Sequence, residues 1–185
     1  AVTFSLVGGA DQAKFGITGG GVLSFTAAPN FEAPTDANGD NVYVVTVQAS
    51  DSEGATATQT ISVTVTPVND NIPVFTSPTT SNLPENTTVV MALTATDADL
   101  PTQPVTFSLA GGADQSKFEL TSGGVLSFNA PPDYEMPTDA NGDNLYVVIV
   151  QASDGNLTNL DAILVTVTNV LEPPAGDYNL DGTVD

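Results

Sequence analysis

The chain contains a long copy of itself. Residues 2–51 align without a gap on residues 105–154, at an offset of 103, with 38 of 50 positions identical. Val-Thr-Phe-Ser-Leu begins at Val2 and at Val105, and Gly-Val-Leu-Ser-Phe at Gly21 and Gly124. Pro-Thr-Asp-Ala-Asn-Gly-Asp-Asn begins at Pro34 and Pro137, and Val-Gln-Ala-Ser-Asp at Val47 and Val150. One residue is then dropped, and Ile61-x-Val63-x-Val65 matches Ile163-x-Val165-x-Val167. Small solenoid units run to roughly 50 residues, so this period is too long for one. It is the size of an independent sandwich domain in a tandem array.

Strands are the expected elements. Tyr43, Val45, Val47 and Ala49 alternate with Val44, Thr46, Gln48 and Ser50, and Ile61, Val63 and Val65 with Ser62, Thr64 and Thr66. A period of two places one set inward and the other outward. No stretch has convincing helical periodicity. In the second copy, strands are expected near 73–77, 88–96, 104–110, 117–121, 124–130, 144–153 and 160–169. Seven short strands separated by turn signals indicate an all-β fold, a Greek-key immunoglobulin-like sandwich.

The two copies differ at their starts. In the second, about 30 residues, 72–104, precede the Val-Thr-Phe-Ser-Leu segment; the first has no counterpart in this sequence. The expected organisation is a truncated first domain at 1–70, a complete second domain at 71–172 and a linker with a short loop at 173–185. Without strands equivalent to the segment around Val89–Ala95, the first domain should show an open edge, exposed apolar surface and lower stability. A neighbouring copy or a second chain would supply the missing strands.

Composition narrows the function. The sequence has 22 Asp and Glu against two Lys, no Arg, and a net charge of −20. No basic patch can form, which excludes nucleic acid as a partner. Without Cys or His there is no zinc finger, disulfide, thiolate nucleophile or Ser-His-Asp triad. A hydrophobic fraction of 41% argues against a disordered acidic chain. A compact body at this charge repels itself unless cations sit on it. No apolar run reaches the ~20 residues of a membrane helix. The missing Cys and the acidity fit a secreted bacterial protein.

The acids fall in short motifs: Leu83-Pro84-Glu85-Asn86, Asp97-Ala98-Asp99, Asp133-Tyr134-Glu135, Ala152-Ser153-Asp154-Gly155 and, between the copies, Asn69-Asp70-Asn71-Ile72-Pro73. Together they resemble the cadherin repeat, with its Pro-Glu-Asn, Asp-x-Asp, Asp-x-Glu, Ala-x-Asp and Asn-Asp-Asn-x-Pro motifs in the same order. The resemblance covers the second copy, the linker and what is present of the first. The Asp-Ala-Asn-Gly-Asp-Asn turn is what bacterial members would carry.

The resemblance implies Ca²⁺, and the chemistry agrees. Ca²⁺ takes about 6–8 oxygen ligands, and the motifs offer only hard oxygens. Two carboxylates ~4 Å apart repel by about 4 kcal/mol at an effective dielectric of 20. Mg²⁺ suits the motifs less, because it prefers a small octahedral shell with retained water.

At the joint between copies the resemblance assigns Glu32, Asn69, Asp70, Asn71, Asp97, Asp99 and Asp154 as ligands, Asn71 through its carbonyl. There are departures: the family's first linker Asp falls at Pro67, and the Asp of Asp-x-Glu is Asn30 in the first copy. The ion nearest the second copy, on Asn69, Asn71, Asp97, Asp99 and Asp154, is therefore expected to survive best. At the far end, Glu85, Asp133, Glu135 and Glu172 form a weaker half-site, because Val170-Leu171-Glu172-Pro173-Pro174 replaces an Asn-Asp-Asn linker. Asp51 is the equivalent of Asp154.

Two other loops bear on calcium. Asp36-Ala37-Asn38-Gly39-Asp40-Asn41 has Asn at its sixth position and Val47 at its twelfth, so it reads as a solvated turn before a strand, as does its copy at Asp139. The tail places Asp177, Asn179, Asp181 and Asp185 at positions 1, 3, 5 and 9 of an EF-hand-type loop, with Gly182 at 6. Preceded by Gly176, it resembles the start of a dockerin repeat; with no twelfth position it should bind weakly.

The expected function is a calcium-rigidified, non-enzymatic cadherin-like module for adhesion or spacing, extracellular or on a bacterial surface. Its partners would be neighbouring repeats, other cadherin-like domains or surface polysaccharide. A carbohydrate-binding accessory domain is the alternative, although there is no Trp and only 4 Tyr. A glycosidase with paired carboxylates is disfavoured, because the acids sit at turns and joints.

Overall fold

A computed structural model describes residues 1–171. The positions Glu172, Asp177, Asn179, Asp181 and Asp185 lie outside the described residues. The chain forms two compact units. The first is Ala1–Asn69 with Asp99–Pro101; the second is Asp70–Ala98 with the described residues from Thr102 onward.

The first unit has five strands: β1 (Thr3–Gly8), β2 (Phe15–Ile17), β3 (Leu23–Phe25), β4 (Val42–Ser50) and β5 (Thr56–Thr64). They form a sheet in the order β1-β4-β5 and a β2-β3 pair, all antiparallel. The alternation read from sequence is realised: Tyr43, Val45 and Val47 are buried, while Val44 and Thr46 are less so. The inward side chains pack on aromatics. Phe15 stacks on Phe25 at 4.6 Å, and Phe25 meets Tyr43 edge-on at 5.1 Å, geometry that adds to area burial.

The second unit repeats this plan and adds to it. Its strands are β6 (Val74–Phe75), β7 (Thr80–Pro84), β8 (Val89–Ala92), β9 (Ala95–Thr96), β10 (Thr106–Gly111), β11 (Phe118–Leu120), β12 (Val125–Phe128), β13 (Leu145–Ser153) and β14 (Thr158–Thr168). One sheet runs β10-β13-β14-β7, another β11-β12-β8, and β6 pairs with β9. Inward residues of the two larger sheets form one core, with Leu126, Val148, Val150 and Val165 fully enclosed. The aromatic trio recurs as Phe118, Phe128 and Tyr146.

Two strands differ from the sequence expectation. The strand expected at 73–77 is shorter, and a separate strand at Thr80–Pro84 follows it. Thr76 and Ser77 both donate to the Thr94 carbonyl, and Pro78 then has no N–H to continue that ladder. The chain crosses to the other sheet and pairs β7 parallel to β14. The strand expected at 88–96 is divided: β8 pairs with β12 and β9 with β6. Leu93 marks the break, its side chain 2% exposed and its N–H on the Gly124 carbonyl. A sequence period of two does not report such a change of sheet.

Each unit has one short 3-10 turn, at Gln12–Lys14 and Gln115–Lys117, anchored by an acid that sequence reading passed over. Asp11 is 4% exposed and accepts the N–H groups of Ala37 (2.7 Å) and Val44 (2.8 Å). Asp114 does the same with Ala140 and Val147, both at 2.7 Å. The approach is close because a glycine precedes it: a Cβ on Gly9, at φ +102°, would lie 2.4 Å from the Val44 carbonyl oxygen.

Candidate metal sites

One acidic cluster lies wholly within the second unit. Glu85 follows β7, and its N–H bonds the Thr168 carbonyl at 3.0 Å, which fixes it beside the end of β14. Its carboxylate is 3% exposed and accepts the N–H groups of Tyr134 and Val170, both at 2.8 Å. Those two bonds hold its pKa below the ordinary 4.5, against the opposing effect of burial. Asn86, at φ 63°, turns the chain away and donates its N–H to the Pro132 carbonyl. The Asp133–Glu135 turn is thereby tied to the end of β7. Asp133 accepts the Met136 N–H at 2.9 Å, and Glu135 accepts from the Asn169 side chain. Glu85, Asp133 and Glu135 each present a carboxylate oxygen within 4.8 Å of the others.

The chemistry of this set fits a hard divalent cation. All its donors are oxygens, one of them a buried carboxylate held ionised. The sequence has only two basic side chains, Lys14 and Lys117, and both belong to the 3-10 turns. Ca²⁺ accepts such oxygens in flexible geometry.

At the other end of β14, Asp154 and Asp97 offer carboxylate oxygens within 4.8 Å of each other. Asp154 occupies the β13–β14 turn, where its Oδ1 accepts the N–H groups of Asn156 and Leu157, both at 2.7 Å. Within the same unit, Asn71 donates its side-chain amide to Asp70 at 3.1 Å. Pro73 is held to β14 by the Asn159 amide at 3.0 Å.

In the first unit, Glu32 and the fully buried Asp99 offer oxygens within 4.8 Å of each other. Glu32 also accepts the Leu100 N–H at 3.5 Å, and Asn69 is half-buried. Asn30 accepts the N–H groups of Glu32 (2.8 Å) and Ala33 (3.3 Å). It keeps the turn that Asp133 makes in the second unit but brings no charge. Asp51 is exposed and accepts the N–H groups of Glu53 and Ala55.

The Asp36 and Asp139 loops are not solvated at their first residue. Each carboxylate is 8% exposed. Asp36 accepts the N–H groups of Asp40 and Asn41, and Asp139 those of Asp143 and Asn144. Burial pushes both pKa values up, but the surrounding N–H groups outweigh it and hold them below 3.8. These acids close their own loops. Tyr43 and Tyr146 lie in the core, each 1% exposed. Their hydroxyls accept the N–H groups of Thr35 and Thr138, both at 3.2 Å. Among the described residues Tyr134 is the one exposed tyrosine.

The all-β sandwich is shared with cadherin extracellular domains, and the sequence is similar to cadherin-family proteins. The chain is 35% identical over 136 residues to the human Cadherin EGF LAG seven-pass G-type receptor 1, a match covering 69% of this chain and 4% of the receptor. It is 32% identical over 175 residues to receptor 2 of the same name from mouse, covering 90% of this chain and 6% of that protein. Among solved structures, mouse Cadherin-23 EC22-24 aligns with a TM-score of 0.62 and 25% identity, over 91% of this chain and 53% of that one. Drosophila N-cadherin EC1-4 aligns with a TM-score of 0.65 and 22% identity, over 91% and 41%. The chain matches no protein-family model. It spans only a few per cent of the length of those two receptors.

Proposed function

We propose that this chain is a calcium-rigidified, non-enzymatic spacer or adhesion module of a large secreted or surface bacterial protein. The observation that carries the proposal is the convergence of Glu85, Asp133 and Glu135 within 4.8 Å on an oxygen-only set. Asp97 and Asp154 repeat the theme at the opposite end of β14, where a preceding domain would be joined. Acids at both ends suit a domain meant to be linked in series through ions.

In this reading, a joint built from Glu32, Asn69, Asp70, Asn71, Asp97, Asp99 and Asp154 takes Ca²⁺. The ion neutralises converging carboxylates and removes hinge freedom from the short Asn69–Pro73 linker. Without it, like charges repel and the linker loosens. Glu85, Asp133, Glu135 and Glu172 would form the corresponding half of a following joint. Extracellular modules bind Ca²⁺ at ~10⁻⁴–10⁻³ M, so the ion here is structural. The dockerin-like residues Asp177, Asn179, Asp181 and Asp185 favour an exported bacterial parent. Neighbouring repeats and other cadherin-like domains are the proposed partners.

Calorimetric titration with Ca²⁺ and separately with Mg²⁺ tests the reading. Heat of binding for Ca²⁺ in the millimolar range, reduced in Asp154→Asn and separately in Glu85→Gln, supports it. Equal binding of the two ions, or unchanged Ca²⁺ binding in both variants, contradicts it.

A further inference from the structure

The two lysines occupy the same place in the two units. Lys14 lines a pocket of about 380 Å³ in the first unit, with Phe25, Pro29, Asn30, Thr35 and Tyr43 in its wall. The second unit has an equivalent pocket of about 290 Å³. Lys117 lines it together with the copies of the other five residues, Asp133 standing where the first pocket has Asn30. Pockets that take small molecules run from ~300 to ~1,000 Å³. In a sequence of net charge −20, the only two cationic side chains thus both line a pocket of about that size.

The polar groups of the first pocket are suited to donate. Asn30 spends its Oδ1 on the N–H groups of Glu32 and Ala33, so its NH2 group is what it can offer. The Tyr43 hydroxyl accepts the Thr35 N–H at 3.2 Å and keeps its own hydrogen, for Thr35 Oγ1 at 3.5 Å or for a ligand. Lys14 brings the charge, and among the described residues no acid lines this pocket. Phe25 and Pro29 add apolar faces. The second pocket carries Asp133, which makes the same turn: it accepts the Met136 N–H as Asn30 accepts that of Ala33. The exchange of Asn for Asp therefore alters the charge of the wall and leaves its backbone alike. An anion in the first pocket meets a cation and neutral donors, whereas in the second it also meets a carboxylate.

We infer that the pocket of the first unit binds a small monocarboxylate with an apolar body, and that Asn30 in place of an acid is what opens it to an anion. The carboxylate pairs with Lys14 and accepts hydrogen bonds from Asn30 and Tyr43, while the body packs on Phe25 and Pro29. Hydrogen bonds between ionised groups are the strong ones, and they orient the ligand. The field of the chain limits the class further. At −20 a polyanion is repelled as a whole, whereas a single carboxylate is matched by the one lysine. A free small acid and the C-terminus of a peptide share this chemistry. Lys14, Asn30 and Tyr43 belong to none of the proposed calcium sets, so the inference stands apart from that reading.

The test titrates the full chain with three probes and follows backbone amide shifts by NMR, in EDTA so that no metal ion recruits the carboxylate. Phenylacetate represents a free acid, N-acetylphenylalanine a peptide C-terminus, and N-acetylphenylalanine amide is the neutral control. The acids should shift the amides of Lys14, Asn30 and Thr35, and the tighter of the two identifies the source. The neutral amide should bind about tenfold more weakly or worse, because the charged hydrogen bond is lost. Amides of Lys117, Asp133 and Thr138 should move far less. Lys14→Gln and, separately, Asn30→Asp should each weaken binding by about tenfold; the second keeps the fold, since Asp133 already makes that turn. Four results overturn the inference: no saturable shifts with either acid, equal binding of the neutral amide, equal shifts around Lys117, or unchanged affinity in either variant.

Discussion

Asp154 and Glu85 stand at opposite ends of one strand. Asp154 holds the turn into β14 through the N–H groups of Asn156 and Leu157. Glu85 meets the other end through Thr168 and Val170. Each carboxylate satisfies backbone donors of its turn and also faces other acids. These positions are therefore structural even without an ion, and variants must be chosen with both roles in mind.

Glu85→Gln keeps the shape of the side chain but removes its charge. The Tyr134 and Val170 N–H groups bond different oxygens of Glu85, and the amide nitrogen of Gln cannot accept, so one of the two bonds is lost; the melting temperature should fall without added Ca²⁺ and rise less when Ca²⁺ is present. Asp133→Asn should affect the ion-dependent part alone, because Asn30 makes the equivalent turn in the first unit. Melting curves of both variants, with and without Ca²⁺, separate the roles.

The two copies provide an internal control for packing. Leu126→Ala should cost about 2–5 kcal/mol, the range for a fully enclosed leucine. Leu23→Ala should cost clearly less, because Leu23 is only half-buried. Denaturant unfolding should show two transitions, the first unit melting earlier, with each substitution moving only its own transition. A single transition shifted equally by both substitutions would contradict this.

The repeated buried acids should be indispensable to both units. Asp114→Ala strands the N–H groups of Ala140 and Val147, and a lost buried partner costs about 1–3 kcal/mol. Asp11→Ala should do the same in the first unit. Addition of Ca²⁺ should rescue neither. Urea midpoints check both expectations.

Acid should destabilise the chain in a defined window. Asp36 and Asp139 have folded pKa values below their ordinary 3.8, and Glu85 one below 4.5. A lowered folded pKa means that the unfolded chain binds protons first. The stabilisation is therefore complete above the ordinary values and is lost as pH falls through the folded ones. Stability should be flat from neutral pH down to about 5 and then decline. Asp36→Asn with Asp139→Asn should flatten that decline.

The sandwich was legible because alternation and repetition are properties of the sequence itself. Tyr43, Val45 and Val47 announce an inward face, and their copies announce it again. The divided edge strands were not legible, since Pro78 and Leu93 redirect the chain through hydrogen bonds to partners distant in sequence. The acids divide in the same way. Glu85, Asp133 and Glu135 stood out through their motifs, and the fold brings them together. Asp11 and Asp114 did not, because their partners lie 26 and 33 residues away. Asp36 looked like a solvated turn because sequence shows that an acid begins a loop, but not that the loop folds over it.

Thermal unfolding of the whole chain in EDTA, in millimolar Ca²⁺ and in millimolar Mg²⁺ tests the calcium account most directly. Ligand linkage contributes about 2.7 kcal/mol at 100 times the dissociation constant, so the shift should be plain. The account predicts a rise selective for Ca²⁺ that is largely lost in the Asp97→Ala, Asp99→Ala double variant. No rise, or the same rise with Mg²⁺, would contradict it and leave these acids as the closing groups of their own turns.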